Sequence, residues 1–576
     1  MDIISAFSSG VRHMALSTAC ALPLIIAASA HSEPIPAKTI KAKSAASEQI
    51  GKSAVATIAE VSDEVPRNPF LARSAQSVTH FNPAQTDSLP YTGPTGVFEV
   101  SDANIKRIPG GLVNLTVLEA STYPNGEQVV FAANNNRVAK ILTTGRSYDL
   151  ISELKIDGQP YLSSQKIRDI EMAINSYSNN DQKLIEYVNR NFPRYIEDIA
   201  SRAAIYNVLD NEGTFFTVVN NRIIGIGDSI PGDARSPLKL RRSFTLPLEY
   251  MNNHMGHPDA IIGLNMTYDG KIVMATIGGV VAVLDRYFEK PPVIVRLPKG
   301  EEITNGIAVD NDGGIYIVSS SAMHKLVWDG STLHVSGHGA WSSAYNVFKG
   351  KIGGVKFGKG SGSTPTLLGF GEDNDKLVVI TDGSQVMNLV AFWRDDIPAG
   401  FRRRPHTPSR RIADQIKVNF GKDDLKAAQS EQSVVVSGHG AFVVNNTVPH
   451  PLPTMLENVL TSGVTRSGPV GAEKFSWSDQ QHRWLRDWTN SSVVDASTVP
   501  MMSQGSNQVY INGFVDGKWE ITGLSWKTGK VVTRVRLGTG QQFNGAYSVT
   551  SLLPNGDLVL NGLLGTMRIT INKTQP

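Results

Sequence analysis

Thiols are almost missing from this 576-residue chain: Cys20 is the only cysteine, and it lies inside the apolar run that opens the sequence. A mature protein lacking that run can have no disulfide, no thiolate metal site and no cysteine nucleophile, so its core alone must hold it together. A dominant charge is missing too. Lys and Arg number 55 against 52 Asp and Glu, a formal net charge of +3 with both signs scattered, which does not point to a nucleic-acid or membrane-surface binder. After the first thirty residues no window offers about 18 apolar residues free of charge, so no integral membrane span is expected. Phosphate loops, zinc-protease signatures and serine nucleophile elbows are also absent.

What stands at the start reads as a secretory signal. Arg12 and His13 precede an apolar run from Met14 to Ala30 that ends in Ala28-Ser29-Ala30, so cleavage near Ala30 and a periplasmic or secreted product are expected. Lipid attachment at Cys20 is the lesser alternative, because Ser17 stands where a lipoprotein signal carries leucine. Residues 31–94, rich in Ala, Ser, Lys and Glu and carrying Pro34, Pro36 and Pro66, read as a flexible spacer.

From residue 95 to 576 the chain changes character. An apolar strand, a tight Asn/Asp-Gly turn, a second strand rich in Val and Ile, and a third strand recur along it. The clearest turns are Asn125-Gly126, Asn211-Glu212-Gly213, Asp269-Gly270, Asp312-Gly313 and Asn555-Gly556; weaker ones fall at Asn374-Asp375, Gly438-His439-Gly440 and Gly505-Ser506-Asn507. Successive turns are 43 to 86 residues apart, the minimum matching one four-stranded propeller blade. The expectation is an all-β chain folded as a single β-propeller, eight blades favoured and seven the alternative. The last unit stops after three strands, so closure by an N-terminal strand is expected, with Gly96–Ser101 (GVFEVS) as the candidate.

In a propeller the connections from each blade's outer strand to the next inner strand share one face. Residues 156–200, 245–259, 336–363 and 399–431 are all connections of this kind, and loops on a rigid scaffold are where binding sites ride. Within the first, the stretch near 163–200 reads as a helical insertion, since Ile167, Ile170, Ile174, Leu184, Ile185, Val188 and Ile196 recur at mostly three- and four-residue intervals. Short polar loops on the same face (Asn134–Asn136, Asn220-Asn221, Ser319–Ser321, Asp382–Ser384, Asn445-Asn446) suggest a polar ring, although Asn and Asp are ordinary turn formers.

Thr304-Asn305-Gly306-Ile307-Ala308-Val309-Asp310, followed by a Gly turn and YIVSS, resembles the metal-bearing blade of the senescence-marker, gluconolactonase and paraoxonase propellers. That resemblance implies a central divalent cation such as Ca²⁺, with Asn305, Asp382 and Glu431 as its oxygen ligands. His257 and Asp259, in the stretch NNHMGHPD, are candidate catalytic residues, as base and orienter, or further metal ligands. Ser525–Lys530 (SWKTGK) resembles one copy of the docking motif of quinoprotein dehydrogenases, and Thr366–Pro398 resembles exported bacterial propellers. Gly337–Gly339 and Gly438–Gly440 look alike but read as turns. Arg402–Arg404 with Arg410 and Arg411 form the densest positive patch, a solvated loop or an anion-capturing one.

The expected function is a propeller binding a small organic ligand at its channel mouth, with metal-dependent, lactonase-like hydrolysis as its enzymatic form. A non-catalytic cell-envelope binding or assembly protein with an envelope protein partner is the alternative, and a quinoprotein-like oxidoreductase the second.

Overall fold

The computed structural model describes residues 65–571 apart from 135, 160, 194, 197–204, 252–258, 351–353, 355, 372–374 and 497. Nearly all of the regular structure is β. Among the described residues seven hydrogen-bonded sheets follow one another along the chain, and within them consecutive strands pair antiparallel. The second sheet, for example, runs Val208–Leu209, Phe215–Val219, Arg222–Asp228 and Leu238–Thr245; the third runs Ile261–Met266, Lys271–Thr276, Val280–Asp285 and Val293–Arg296. The first strands of neighbouring sheets lie against one another, so the sheets stand around a common axis as a β-propeller.

Local chemistry explains the repetition. Each expected Asn/Asp-Gly turn joins the first strand of a unit to the second, and Gly126, Gly213, Gly270, Gly313 and Gly556 all have φ between +69° and +88°, a region that glycine enters without a Cβ penalty. The second strands of the sheets are buried on both faces, as Phe215–Val219, Gly314–Val318 and Leu377–Thr381 show. They therefore read as continuous apolar runs rather than alternating ones.

Closure comes from the N-terminal side, but through different residues than expected. A long strand, β3 (Ile105–Glu119), pairs through Ile105–Val113 with the C-terminal Leu558–Ile569 and through Asn114–Glu119 with Val129–Asn134. It changes partner between Val113 and Asn114, after a register shift at Gly110-Gly111, where an added Cβ would collide with the Asn114 side chain at Gly110 and crowd that of Asn134 at Gly111. Gly96–Glu99 (β2) instead lies parallel to Val531–Gly538 on the outside of the preceding sheet. In the run IKRIP, two adjacent positive charges and a proline mask the strand character, whereas the edge of a sheet tolerates both.

The largest departure from expectation concerns residues 65–94. From Leu71 to Leu89 most side chains are buried, and the segment fills the channel between the inner strands. The amides of Glu119, Leu209, Val309, Leu367, Val436 and Met502, each on or beside a different inner strand, donate to the carbonyls of Gln76, Ser77, Pro83, Ala84, Thr86 and Asp87 at 2.7–3.0 Å. Asn68 Nδ2 donates to Met266 O and Thr267 O, Gln76 Nε2 donates to Leu552 O, and Ser88–Leu89 (β1) pairs in parallel with Met501–Ser503. The segment is thus an axial plug, and only what precedes Val65 falls outside the described residues. A polar sequence could be buried here because its backbone and side chains find partners at every step.

Two helices form as read, α1 (Ser164–Ser176) and α2 (Asp181–Asn191), capped by Ser163 and Asn180. Their buried faces (Ile167, Ile170, Ile174, Leu184, Val188) pack on ring residues such as Leu112 and Leu563 and on a further, unexpected helix, Met455–Thr461. That helix carries a Thr454/Glu457 capping box, a signal legible in the sequence. Among the described residues no helix is long and apolar enough to cross a membrane.

Candidate functional site

The five residues singled out from sequence fare differently. His257 lies outside the described residues. Asp259 is buried and accepts from the backbone amides of Ala260 and Gly278 and from Thr276 Oγ1 at 2.8–3.1 Å, so it staples its own strand entrance. Asn305 sits just ahead of Ala308–Val309 and donates from Nδ2 to Ser361 O at 3.3 Å. Asp382 follows Leu377–Thr381 and accepts four hydrogen bonds, from the backbone and side chains of Ser384 and Asn388 at 2.7–3.1 Å. Glu431 precedes Val435–Ser437 and projects a carboxylate that is 4% exposed.

Asn305, Asp382 and Glu431 do belong to the same face, that of the long connections, and Asp382 and Glu431 share a neighbour that the sequence did not reveal. Lys356, from the 336–363 connection, has its Nζ 4.0 Å from Glu431 Oε2, and Asp382 also acts on it electrostatically. Burial pushes the Glu431 carboxyl up to about 8 even with the ammonium beside it, and pushes Lys356 down from its ordinary range. Neither Lys356 Nζ nor Glu431 Oε2 has a hydrogen-bond partner. Gly362 allows the close approach, since a Cβ there would sit 2.7 Å from Glu431 Oε2.

These residues do not fit a divalent cation. Asp382 is taken up by its own loop, an internal ammonium lies among the carboxylates, and among the described residues no group of three His, Cys, Asp or Glu side chains converges as a ligand set. Hard cations require several free oxygen ligands pointing at one spot.

The plug supplies a second constellation. His80 Nδ1 lies 2.8 and 3.0 Å from the two Asp87 oxygens, and His80 Nε2 lies 3.4 Å from Thr364 Oγ1, which in turn is 3.2 Å from Tyr206 Oη and accepts from the Gly306 amide at 3.1 Å. One donor chain satisfies all of it: Tyr206 to Thr364, Thr364 to His80, His80 to Asp87. Burial holds the Asp87 carboxyl above its ordinary range, with His80 opposing the shift. The order carboxylate, imidazole, hydroxyl is that of a nucleophile triad. Thr364 is only 1% exposed and its oxygen is already engaged, so the array is a strut pinning plug to ring. Glu431 also acts electrostatically on Tyr206, so the Lys356–Glu431 pair and the plug tip with Tyr206 and Thr364 are neighbours. Phe357, tilted against Tyr547 with ring centroids 5.0 Å apart, packs with the helices of the cap.

The remaining motifs are structural. Arg404 donates to the carbonyls of Ala413, Gln481 and His482, and Arg410 and Arg411 likewise hold backbone carbonyls, leaving Arg402 and Arg403 exposed. His439 pairs with Asp479 in a hairpin turn, and His338 stacks on His334 at 4.0 Å. Ser525–Lys530 forms the turn between two strands, with Trp526 packed on Phe442 of the neighbouring sheet. Sequence reasoning missed Lys356, His80, Asp87, Thr364 and Tyr206. The available signals were a lysine in a glycine-rich connection and an uninterrupted SVTHFNPAQTDSL with none of the repetition of a linker.

Sheets and plug together define a β-propeller with a self-filled channel. No family model matches the chain. An uncharacterized protein of Archaeoglobus fulgidus is 36% identical over 375 residues, covering 63% of this chain and 69% of that one; the chain belongs to the same family. Among solved structures, the quinohemoprotein alcohol dehydrogenase ADHIIG of Pseudomonas putida HK5 is similar with a TM-score of 0.50 at 10% identity, over 87% of this chain and 81% of that one. BamB of Moraxella catarrhalis matches at TM-score 0.41 and 10% identity, over 82% and 99%. At such identity the first likeness shows the fold alone, and nothing rests on the second.

Proposed function

We propose that this is an exported β-propeller of eight sectors that binds a small polar organic ligand on its long-connection face, with Lys356 and Glu431 as the recognising groups. The eight-sector reading is supported by the change of partner of β3 between Val113 and Asn114, which divides the six-stranded sheet that contains it into two. Export rests on the apolar run Met14–Ala30, which lies outside the described residues.

One observation carries the binding reading: two buried ionisable side chains face each other at 4.0 Å, and each leaves a polar atom without a hydrogen bond. Such groups forgo on the order of 1–3 kcal/mol of hydration apiece, more when charged. A ligand that offers an acceptor to Lys356 and a complementary polar group to Glu431 restores it. Hydroxy acids, sugars and lactones carry both kinds of group. The hydrolase expected from the metal-blade resemblance loses its support with Asp382 engaged in its own loop.

The test is thermal unfolding of the purified protein against a panel of these three compound classes. A ligand bound only by the native state raises the midpoint. At least one class is expected to do so, and Lys356→Met and Glu431→Gln are expected to abolish the effect while remaining folded. Compounds that stabilise the parent and both variants equally would contradict the assignment.

A further inference from the structure

We propose that the channel of this propeller is a polypeptide-binding site, and that residues 65–100 are its ligand: a self-supplied arm held by the ring tightly enough to stay in place without a covalent link.

The arm touches the ring as a recognised peptide rather than as a passing linker. Its carbonyls from Gln76 to Asp87 accept from amides on or beside six different inner strands, and Leu89 O accepts from Gln504 as the arm leaves. Main-chain pairing of this kind supplies affinity, while side-chain sockets supply selectivity. Three sockets are present. Gln76 binds the last inner strand, donating to Leu552 O and accepting from Ser551 Oγ. Ser88 Oγ donates to Val436 O at 2.7 Å. His80 and Asp87 lock the two limbs of the arm to each other and, through Thr364, to the wall.

The backbone adds an independent sign. His80, Phe81, Gln85 and Asp87 all take positive φ, between 53° and 77°. Non-glycine residues enter that region at a cost and remain there only when their surroundings over-determine the conformation. Four within eight residues mean that the channel, not local preference, shapes this segment. The arm then continues into β2, whose parallel pairing with Val531–Gly538 adds an outer anchor. Ring closure does not depend on it, because β3 begins only at Ile105.

The exposed turn Asp102–Asn104 separates arm from ring, so the full-length protein can be cut there after folding. A site-specific protease sequence is inserted between Ser101 and Asp102, folding is verified by circular dichroism, and the cut protein is passed over a sizing column. The two pieces are expected to co-elute and to separate only in denaturant. Elution of the N-terminal piece by itself while the remainder keeps its β spectrum would overturn the proposal. The same cut protein carrying His80→Gln, which retains a hydrogen-bonding side chain, is expected to lose its arm at least tenfold faster. A release rate equal to the parent's would overturn the role of the His80–Asp87 lock.

Discussion

Two buried acid–base pairs sit in the same propeller, and the fold treats them in opposite ways. His80 and Asp87 have their functional atoms engaged at 2.8–3.4 Å, in a chain that ends on Thr364 and Tyr206. Lys356 and Glu431, on the long-connection face, stand 4.0 Å apart with a polar atom of each unpartnered. Burial is common to both, so burial is not what separates structure from site. Satisfaction is. A saturated network makes the chain rigid, whereas an unsaturated one reserves hydrogen-bonding capacity for something that is not part of the chain.

The comparison breaks most sharply at His80. His80→Ala leaves the Asp87 carboxyl buried without its partner, and loss of one member of such a pair costs about 3–5 kcal/mol; denaturant unfolding should show a drop of that size. A loss under about 1 kcal/mol would mean that the arm is loosely held.

Next in size is a pH effect at the foot of the arm. Burial pushes the Glu119 carboxyl, which accepts from Tyr91 Oη at 2.7 Å, up to about 7. Because the native protein binds this proton more tightly than the unfolded chain, the stabilisation is full below about pH 4.5 and is lost as pH rises through about 7, amounting to about 3 kcal/mol. Stability of the parent should therefore fall between pH 5 and pH 8 more steeply than that of Glu119→Gln, as read from unfolding midpoints at each pH. Parallel profiles would contradict the assignment.

Lys356→Met should matter least to stability, by less than about 1 kcal/mol, because removing an unsatisfied buried charge and leaving a carboxyl already prone to hold its proton costs little. Its effect belongs in ligand binding. A chelator should leave the unfolding midpoint unchanged, since Asn305, Asp382 and Glu431 do not form a cation site; a drop of several degrees would restore the metal reading.

How much of this was legible follows from the physics of each part. The hairpins announced themselves because Asn-Gly and Asp-Gly between β-branched runs have few other uses, and the periodic isoleucines of α1 and α2 were equally plain. The arm was not legible. Its residues pair with inner strands up to 476 positions away, and composition alone, Ser, Thr, Asn, Gln and Pro, is that of a solvated linker. The closing strand was misplaced by a few residues because Gly96–Glu99 alternates cleanly and Ile105–Pro109 does not. At the proposed site, the sequence named Glu431. It missed Lys356, since a lysine in a glycine-rich connection reads as solvent-facing until a fold encloses it. Asp382 looked like a ligand because a turn aspartate and a metal-binding aspartate have the same sequence; only its hydrogen bonds to Ser384 and Asn388 tell them apart.

The most direct test of a self-filled channel is hydrogen exchange at the inner-strand amides of Val309, Leu367, Val436 and Met502. With their acceptors supplied by Pro83, Ala84, Thr86 and Asp87, they should exchange only through global opening, in the slowest class of the protein. Exchange of these four within the time scale of exposed loops, in an otherwise protected ring, would show an open channel and contradict the account.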